Sequence, residues 1–468
     1  MEKIRGGDVR AAGVPDGPAM GVALSCIPRA VKQLGREGAL ARLAEVAATP
    51  ERFEDEVHFG ALAQRLVADK READRRFVER DAPAPFANYC GDADPGALDQ
   101  MHNSLRLPSA LRGALMPDAH RGYGLPIGGV LETEGTVIPY AVGVDIACRM
   151  KLSVLDLDPA ALDDGAHLEQ ALLKQTQFGT GAKLRKRADH ATMEDERWAL
   201  TPLAARLRDR ASDQLGTSGS GNHFVEFGVL TLPEPDLGLP AGRYVALLSH
   251  SGSRGAGAQI AGHYSKLARE LRPELPKELS YLSWLDLDHD SGREYLQLMR
   301  LMGDYASACH AVIHERVTGH LKAEVLAGVE NHHNYAWTAE RDGREVVVHR
   351  KGATPAAVGE LGVIPGSMAA PGFVVRGKGA PDSIDSASHG AGRRMSRTAA
   401  TQQFNWSMVR PVLEERGVKL LSAGIDENPF AYKDIETVMA AQTDLVDVVG
   451  RFDPRIVRMA EAGERPED

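Results

Sequence analysis

An aspartate and a cysteine, two residue types that bind metal ions, stand three positions apart in the segment GVDIACRM (143–150). Asp145 supplies a carboxylate, and Cys148 is one of only four cysteines in the 468-residue chain. A buried aspartate needs a partner, whereas an isolated cysteine is most often a small core residue. Taken alone, the pair favours a structural role, so a functional site requires further ligands from elsewhere in the chain.

Histidines follow apolar or glycine-rich segments at three further places. GTSGSGNHFVEF contains His223, ALLSHSGSRGAG contains His250, and ENHHNYAW contains His332 and His333. A lone histidine at a strand end is most often a satisfied core residue, but imidazole, thiolate and carboxylate together suit a divalent transition metal. Because the set exceeds the four ligands that one ion needs, it predicts two metal ions bridged by the thiolate of Cys148.

A further histidine lies in DSIDSASHGAGRRMSR (382–397), between a short polar run and a series of glycines and arginines. Glycines allow a backbone to approach phosphate closely, and arginine donates two hydrogen bonds to phosphate oxygens. In such a pocket His389 could be a metal ligand, a general acid or a nucleophile toward phosphorus. The chain has no G-x-x-x-x-G-K-[ST] loop, so any nucleotide site is of another kind.

Composition narrows the class of protein. A chain of 468 residues that is 43% hydrophobic can bury a large core, and the absence of repeats or low-complexity linkers favours one integrated catalytic domain. The net charge of −10 argues against indiscriminate nucleic-acid binding but leaves room for a local basic groove, for which KLRKR (183–187) and GRRMSR (392–397) are candidates. If they do not form such a groove, these charge runs are ordinary solvated surface.

The lack of a recognisable targeting signal and the spacing of the cysteines predict a cytoplasmic location without membrane contact. The N-terminus lacks the apolar segment of a signal peptide, and no apolar run approaches the roughly 20 residues of a membrane span. Cys26, Cys90, Cys148 and Cys309 show no paired spacing, which argues against a disulfide framework.

The elements that must position these side chains form an α+β pattern. Residues 28–80 are predicted to be helical, residues 82 to about 255 to form short strands with glycine-rich turns, and the part from Thr401 onward to be mainly helical. Predicted strands are RMKLSVLDL, NHFVEFGVL, RYVALLSH, REVVVHR and GFVVRG. Residues 293–326 predict one long helix or two short ones, with Cys309 on its apolar stripe and therefore in the core.

The motifs together resemble the RtcB family of RNA ligases. MPDAHRGYGLPIGGV (116–130) is similar to the family's signature block, and GVDIACRM, GTSGSGNHFVEF, SHSGSRG, HHNYAW, HRKGAT, IPGSM, SHGAGRRMSR and DENPFAYKDIETVM follow in the family's order. The resemblance covers residues 82–458. It implies an α+β fold with one large catalytic domain (82–468), in which mixed and antiparallel sheets flanked by helices surround a metal-lined cleft. A helical extension (1–81) would precede that domain.

The resemblance also implies an activity. Family members join RNA ends bearing a 3′-phosphate or a 2′,3′-cyclic phosphate to ends bearing a 5′-hydroxyl, in tRNA splicing or RNA repair, with GTP and two Mn²⁺ ions as cofactors. A histidine takes up GMP and passes it to the RNA 3′-phosphate, giving an RNA-(3′)pp(5′)G intermediate, and the 5′-hydroxyl then displaces GMP. An archease-type activator is a potential partner.

Residue roles follow by position in the motifs. His389 matches the nucleophile; Asp145, Cys148, His223, His250 and His333 match the manganese ligands; and Arg254 and Arg393 match phosphate-binding positions. The implied GMP pocket comprises Asn222, His223, Phe224, Val225, Glu226, His333, Asn334, Pro365, Gly366, Ser367, Met368, Gly372, His389, Gly390, Ala391, Gly392 and Arg458. His333 is preferred to His332 because the family's ligand directly precedes the asparagine. Asp118 and His120 would be supporting or RNA-facing residues.

Departures from the family pattern leave several points open. Gly372 stands where the family has a serine, and Arg458 is nearest to the family's terminal lysine, so the choice between GTP and ATP is not settled. With the N-terminal extension, these changes favour a divergent branch specialised in RNA repair. The alternatives are a two-metal phosphoesterase or nuclease that needs no nucleotide, and a non-catalytic RNA-end-binding protein. His389 with its glycines and arginines favours the ligase.

Overall fold

The computed structural model describes residues 3–74 and 77–463 and divides the chain into two compact units, residues 1–78 and 79–468. The sequence places this boundary between residues 81 and 82, three residues later. Residues 1, 2, 75, 76 and 464–468, which belong to the predicted extension and catalytic domain, lie outside the described residues.

The first unit is helical. It contains α1 (Gly6–Ala11), α2 (Pro18–Ala48) and α3 (Gly60–Asp74), with a kink in α2 at Gly35, whose φ of +72° leaves the helical region. Apolar side chains at helical spacing, among them Leu43 and Leu62, are fully buried in a core of this unit's own. The helical prediction therefore agrees with α2 and α3, although residues 77–80 are not helical.

The second unit is built on two large sheets. Its strands are β1 (Phe86–Asn88), β2 (Ala110–Tyr123), β3 (Leu125–Glu134), β4 (Thr136–Val137), β5 (Arg149–Leu155), β6 (Phe224–Leu232), β7 (Gly242–Ser251), β8 (Leu285–Asp286), β9 (Val325–His332), β10 (Asn334–Arg341), β11 (Arg344–Lys351), β12 (Ala353–Pro355), β13 (Leu361–Ile364), β14 (Gly372–Gly377), β15 (Ser386–Ser388), β16 (Lys419–Ser422) and β17 (Val446–Met459). One sheet has the order β1-β2-β3-β11-β10, and the other has the order β13-β14-β17-β6-β7-β5-β9, with β16 beside β17. Two small pairs, β12-β15 and β4-β8, complete the set.

Helices accompany both sheets, as the predicted α+β class requires. They are α4 (Pro95–Leu105), α5 (Ala161–Asp164), α6 (Ala166–Gln175), α7 (Pro202–Gln214), α8 (Arg254–Leu271), α9 (Asp290–Leu321), α10 (Arg397–Gln403), α11 (Trp406–Glu415) and α12 (Ile435–Ala440). None of the helices in the described part of the chain is long and apolar enough to cross a membrane. The long helical segment is one helix, α9, which ends where Lys322 takes a left-handed φ of +55°, and Cys309 is fully buried in it.

All five predicted strands are present, as β5, β6, β7, β11 and β14. Two parts of the prediction are wrong. The region from 82 to about 255 also contains α4, α6 and α7, and the C-terminal region contains the 14-residue strand β17. Proline argues against an internal strand because it lacks an N–H donor. Here Pro454 is tolerated because the pairing of β17 with β6 shifts register between Pro454 and Ile456.

Candidate metal centre and nucleophile

Four neighbouring strands of the larger sheet bring the predicted ligands together at one end of the strands. In the antiparallel ladders, Arg149 of β5 pairs with Ser251 of β7 and His332 of β9, and Phe224 of β6 pairs with His250 of β7. Residues next to these pairs must lie close together, because directly opposed Cα atoms are about 5 Å apart. Cys148, His223, His250 and His333 therefore meet, although they come from positions far apart in the sequence.

The ligand atoms form two groups that share one sulfur atom. Asp145, Cys148 and His223 make the first group, and Cys148, His250 and His333 make the second. Cys148 Sγ lies 3.4 Å from His223 Nε2 and 3.0 Å from His250 Nε2. His223 Nε2 lies 3.0 Å from Asp145 Oδ2, and His250 Nε2 lies 3.2 Å from His333 Nε2. We call these five residues, at the ends of β5, β6, β7 and β9, the metal wall.

Hydrogen bonds behind the rings aim lone pairs at the shared centre. His223 Nδ1 donates to the Ser218 carbonyl at 3.1 Å, and His250 Nδ1 donates to the Asn222 carbonyl at 3.0 Å. Since a carbonyl only accepts, each neutral ring keeps its lone pair on Nε2. Burial lowers the pKa of His250 to about 3, which keeps that ring neutral at ordinary pH. The centre therefore collects acceptors that repel one another, and this donor set fits cations.

Asp145 is held in place by the backbone of a turn. Its Oδ1 accepts a hydrogen bond from the Ser253 N–H at 3.2 Å, and a Cβ atom at Gly252 would lie only 1.9 Å from the same oxygen. Burial acts to raise the pKa of Asp145, but its polar contacts with His223 and Cys148 hold that pKa below its usual value. Gly252 in SHSGSRG is therefore required for space beside the carboxylate of a candidate metal ligand.

His389 lies beside this centre and is oriented by a buried carboxylate. His389 Nδ1 donates to Asp118 Oδ2 at 2.6 Å, and the same oxygen accepts the backbone N–H groups of His389 and Gly390 at 3.1 and 3.3 Å. The His389 ring centroid is 5.0 Å from that of His333. Burial acts to raise the pKa of Asp118, but His389 lowers it by charge and hydrogen bonding, so the carboxylate stays ionised. With Nδ1 occupied, Nε2 is free for chemistry.

Asp118 is the residue whose role the sequence understated. It occupies an irregular part of β2, where the pairing with β3 shifts register between Leu115 and His120. Its neighbour His120 is a cleft residue whose pKa is lowered to about 4 by burial. Only the PDAH motif pointed to Asp118, because its partner is 271 positions away. We call His389, Asp118 and the parts of β2, β3 and β11 around them the nucleophile wall.

A single cleft of about 1430 Å³ runs between the two walls. Its volume exceeds the roughly 300–1,000 Å³ of a pocket for one small ligand. Most of the predicted GMP-binding residues line it: Asn222, Phe224, Glu226, His333, Asn334, Pro365, Gly366, Ser367, Met368, Gly372, His389, Gly390, Ala391 and Gly392. Lys351, which the sequence did not single out, also lines the cleft, and burial lowers its pKa to about 7.

Four predicted contact residues do not line the cleft, and one of them, His223, belongs to the metal wall. Val225 points into the apolar core below β6. Arg254 is 2% exposed and donates to Thr217 Oγ1 and to the Gly179 carbonyl. Arg458 alternates along β17 with two cleft-lining neighbours, so its guanidinium lies on the opposite face, where it donates to carbonyls at the end of α6. Strand alternation therefore separates Arg458 from the predicted guanine contact.

Other predicted residues reach the cleft but are already engaged. Arg393 donates to Glu427 Oε2 at 3.2 Å and to the Asp426 carbonyl at 2.8 Å, which leaves it only part of its donors for phosphate. The Asn334 amide bridges the Asp145 carbonyl and the Gly352 N–H. A Cβ atom at Gly372 would lie 3.2 Å from Pro365 Cα, so a serine there would require its neighbours to move by a few tenths of an ångström.

The fold and site define a metal-dependent enzyme with a carboxylate-supported histidine, and comparisons identify its family. Residues 100–460 match the family model described as tRNA-splicing ligase RtcB. The RNA-splicing ligase RtcB of Escherichia coli (strain K12) is 36% identical over 79% of this chain and 95% of its own length. The tRNA-splicing ligase RtcB of Thermococcus kodakarensis is 29% identical over 76% of this chain and 89% of its own length. The chain belongs to the RtcB family of RNA ligases.

Proposed function

We propose that this chain seals RNA 3′-phosphate or 2′,3′-cyclic phosphate ends to 5′-hydroxyl ends, using GTP and two Mn²⁺ ions. The observation that supports this most directly is the position of His389, anchored by Asp118 and facing a cluster of acceptors that share Cys148. A hydrolase that activates water with the metal ions has no use for a further histidine that is bound to a carboxylate and flanked by glycines. The unpaired cysteines are consistent with a reducing cytoplasm.

Five residues would hold the metal ions: Asp145, Cys148 and His223 in one group, and Cys148, His250 and His333 in the other. When bound, two such cations neutralise phosphate charge and orient the leaving pyrophosphate. The protein's own contribution is to direct the imidazoles inward, as the carbonyl partners of His223 and His250 do.

His389 Nε2 attacks the α-phosphorus of GTP, so that an N–P bond forms and the bond to the β-phosphate oxygen breaks. The imidazole then carries positive charge, which the Asp118 carboxylate balances through Nδ1–H. A 2′,3′-cyclic phosphate end is first opened by water, which breaks the bond to the 2′-oxygen and leaves a 3′-phosphate. An oxygen of the RNA 3′-phosphate then displaces the histidine, giving RNA-(3′)pp(5′)G. The 5′-hydroxyl oxygen then attacks the 3′-phosphorus, loses its proton and releases GMP.

Glu226 is our candidate for recognising guanine. Its carboxyl group is buried in the cleft lining, has no hydrogen-bond partner among the described residues, and has a pKa raised by burial well above the usual value. A carboxylate accepts the N1–H and N2–H groups of guanine, which adenine lacks. Because Arg458 faces away from the cleft, the contact that distinguishes guanine from adenine would come from Glu226 and not from the terminal basic residue.

The direct test is nucleotide transfer to the protein. Purified chain would be incubated with Mn²⁺ and α-labelled GTP or ATP, together with His389→Ala and, as a matched control, the exposed His263→Ala. We expect an acid-labile, alkali-stable label from GTP in the wild type and in His263→Ala, and none in His389→Ala. A label from ATP would contradict guanine selectivity. Without any label in metal-loaded protein, with an archease-type activator added, the ligase assignment fails and the hydrolase gains support.

The physiological RNA is a separate question. The departures at Gly372 and Arg458 and the N-terminal unit motivate the hypothesis of a repair enzyme. Rates of sealing would be compared for a cleaved tRNA anticodon loop and a cleaved ribosomal RNA helix. Equal rates on both substrates would exclude specialisation.

A further inference from the structure

Three tyrosine rings meet at the side of the cleft. Tyr123 ends β2, Tyr140 lies in a 3₁₀ turn (Pro139–Ala141), and Tyr281 lies in another (Lys277–Leu282). The centroids of Tyr140 and Tyr281 are 4.8 Å apart, and those of Tyr123 and Tyr281 are 5.5 Å apart. Tyr123 and Tyr140 both line the cleft. We call this cluster the tyrosine ledge.

The outermost ring of the ledge is open to solvent. Tyr123 is 63% exposed, and it is the one aromatic residue among the exposed large hydrophobic residues that the structure describes. The turn that presents it is tight, because Gly124 has a φ of +69° and a Cβ atom there would lie 3.0 Å from the Tyr281 carbonyl oxygen. The ring is therefore held by its neighbours while most of its surface remains available.

A buried lysine connects the ledge to the nucleophile. Lys351 Nζ donates to the backbone carbonyls of Tyr123 and Tyr140. The next residue, Gly352, approaches the nucleophile so closely that a Cβ atom there would lie 3.0 Å from His389 Cε1. Lys351 and Gly352 thus connect the ledge to His389, the group to which we assign the nucleotide chemistry.

Cations accompany the aromatic rings. Arg121 lines the cleft two residues before Tyr123, and its side chain has no hydrogen-bond or ion-pair partner among the described residues. The Arg269 guanidinium lies 5.6 Å from the Tyr281 ring centroid. Stacking surfaces beside unpaired basic groups are the combination that binds single-stranded nucleic acid, because bases stack on the rings while cations attract the phosphates.

We propose that the tyrosine ledge binds an unpaired nucleobase of the RNA end that enters the cleft, by stacking on Tyr123. This inference rests on the proposed function, because it assumes an RNA strand in the cleft, and it adds a site for the base itself. The ligand is an unpaired base of either purine or pyrimidine type, since every base offers a π-face and the ledge presents few directional groups. The enzyme would accordingly favour frayed or looped ends over blunt duplex ends.

The test measures RNA binding without nucleotide, so it is independent of His389 labelling. The probe is a single-stranded RNA with a 3′-phosphate and 2-aminopurine as its terminal base, compared with the same RNA carrying an abasic terminal nucleotide. The proteins are wild type, Tyr123→Ala, Tyr123→Trp and the control Tyr244→Ala, whose hydroxyl donates to the Pro240 carbonyl outside the cleft.

We expect Tyr123→Ala to weaken binding of the base-bearing RNA on the order of 10- to 100-fold, the range for one stacked base, and to abolish 2-aminopurine quenching. Tyr123→Trp should restore both, and the abasic RNA should bind all four proteins alike. Equal losses for abasic and base-bearing RNA in Tyr123→Ala would overturn the stacking role, as would unchanged quenching. If the wild type binds RNA but takes up no label from GTP, the ligase proposal fails while the ledge stands.

Discussion

The two walls of the cleft orient their histidines by different means. On the metal wall, His223 and His250 donate from Nδ1 to backbone carbonyls. On the nucleophile wall, His389 donates from Nδ1 to the carboxylate of Asp118. A carbonyl fixes the tautomer of a ring without adding charge, whereas a carboxylate also stabilises the ring when it becomes positive. The first arrangement suits a metal ligand, and the second suits a nucleophile that forms a bond to phosphorus.

The walls also differ in how the backbone builds them. The metal wall uses the ends of four adjacent strands in one regular ladder, so the register of β5, β6, β7 and β9 determines the spacing of its ligands. The nucleophile wall uses an irregular part of β2 and the segment after β15, joined by a side-chain contact between residues 118 and 389. The metal wall therefore depends on strand register, whereas the nucleophile wall depends on the hydrogen bonds made by one carboxylate.

The largest expected effect tests whether one sulfur atom serves both metal groups. Cys148→Ala removes the atom common to both, so we expect loss of both Mn²⁺ ions and a drop in His389 labelling of at least about 1,000-fold, since paired cations contribute several kcal/mol. Metal content and labelling are measured together, with the core variant Cys309→Ala as control. Retention of two ions by Cys148→Ala would contradict a shared ligand.

The variant Asp118→Asn tests whether His389 needs a charged carboxylate or only a neutral hydrogen-bond acceptor. The amide keeps an acceptor for His389 Nδ1–H but loses the charge that balances the imidazolium, so we expect labelling to slow by about 10²- to 10⁴-fold. Metal content should stay at the wild-type level, because Asp118 is not in the metal wall. Asp92→Asn, which replaces a carboxylate that lines the cleft, is the control. Equal rates for Asp118→Asn and wild type would remove the distinction between the walls.

The tight packing of the metal wall is tested at Gly252. A methyl group there would displace Asp145, so we expect Gly252→Ala to weaken Mn²⁺ binding by about 10- to 100-fold and to cost about 1–3 kcal/mol of unfolding free energy. Gly262→Ala, in α8, is the matched control because nothing lies within 4 Å of the added atom. Metal titration and urea denaturation would measure both. If the two variants behave alike, Gly252 is not a packing constraint on Asp145.

The smallest effect concerns pH and the sheet behind the nucleophile wall. His349 Nε2 accepts the Ile138 N–H at 2.9 Å, and burial lowers the His349 pKa to about 4. The unfolded chain binds this proton near pH 6.5 and the folded chain does not, so the free energy of unfolding falls as pH drops from about 6.5 to 4. His349→Gln should reduce that slope by up to about 1.4 kcal/mol per pH unit. Denaturation at several pH values checks this, and an unchanged slope would contradict it.

The candidate metal ligands and the proposed nucleophile were accessible from the sequence, because each lies in a short motif whose residue type limits its chemistry. His333 was separated from His332 in this way, and the structure places His333 in the cluster, while the His332 ring stacks on Tyr335. Arg254 and Arg458 were assigned to contacts by motif position alone. The direction of a side chain depends on its strand face or local packing, and motif position does not reveal that.

The sequence by itself determined the family, the α+β class, five of the strands, three of which carry the candidate metal ligands, and the residue types at the centre. Only the tertiary structure decided which acceptors face one another, that Asp118 supports His389, and that Tyr123, Tyr140 and Tyr281 form one ledge. The reason is physical. Residue type and local periodicity act over a few positions, whereas these contacts join segments tens to hundreds of residues apart, whose meeting depends on sheet order, register and the packing of loops.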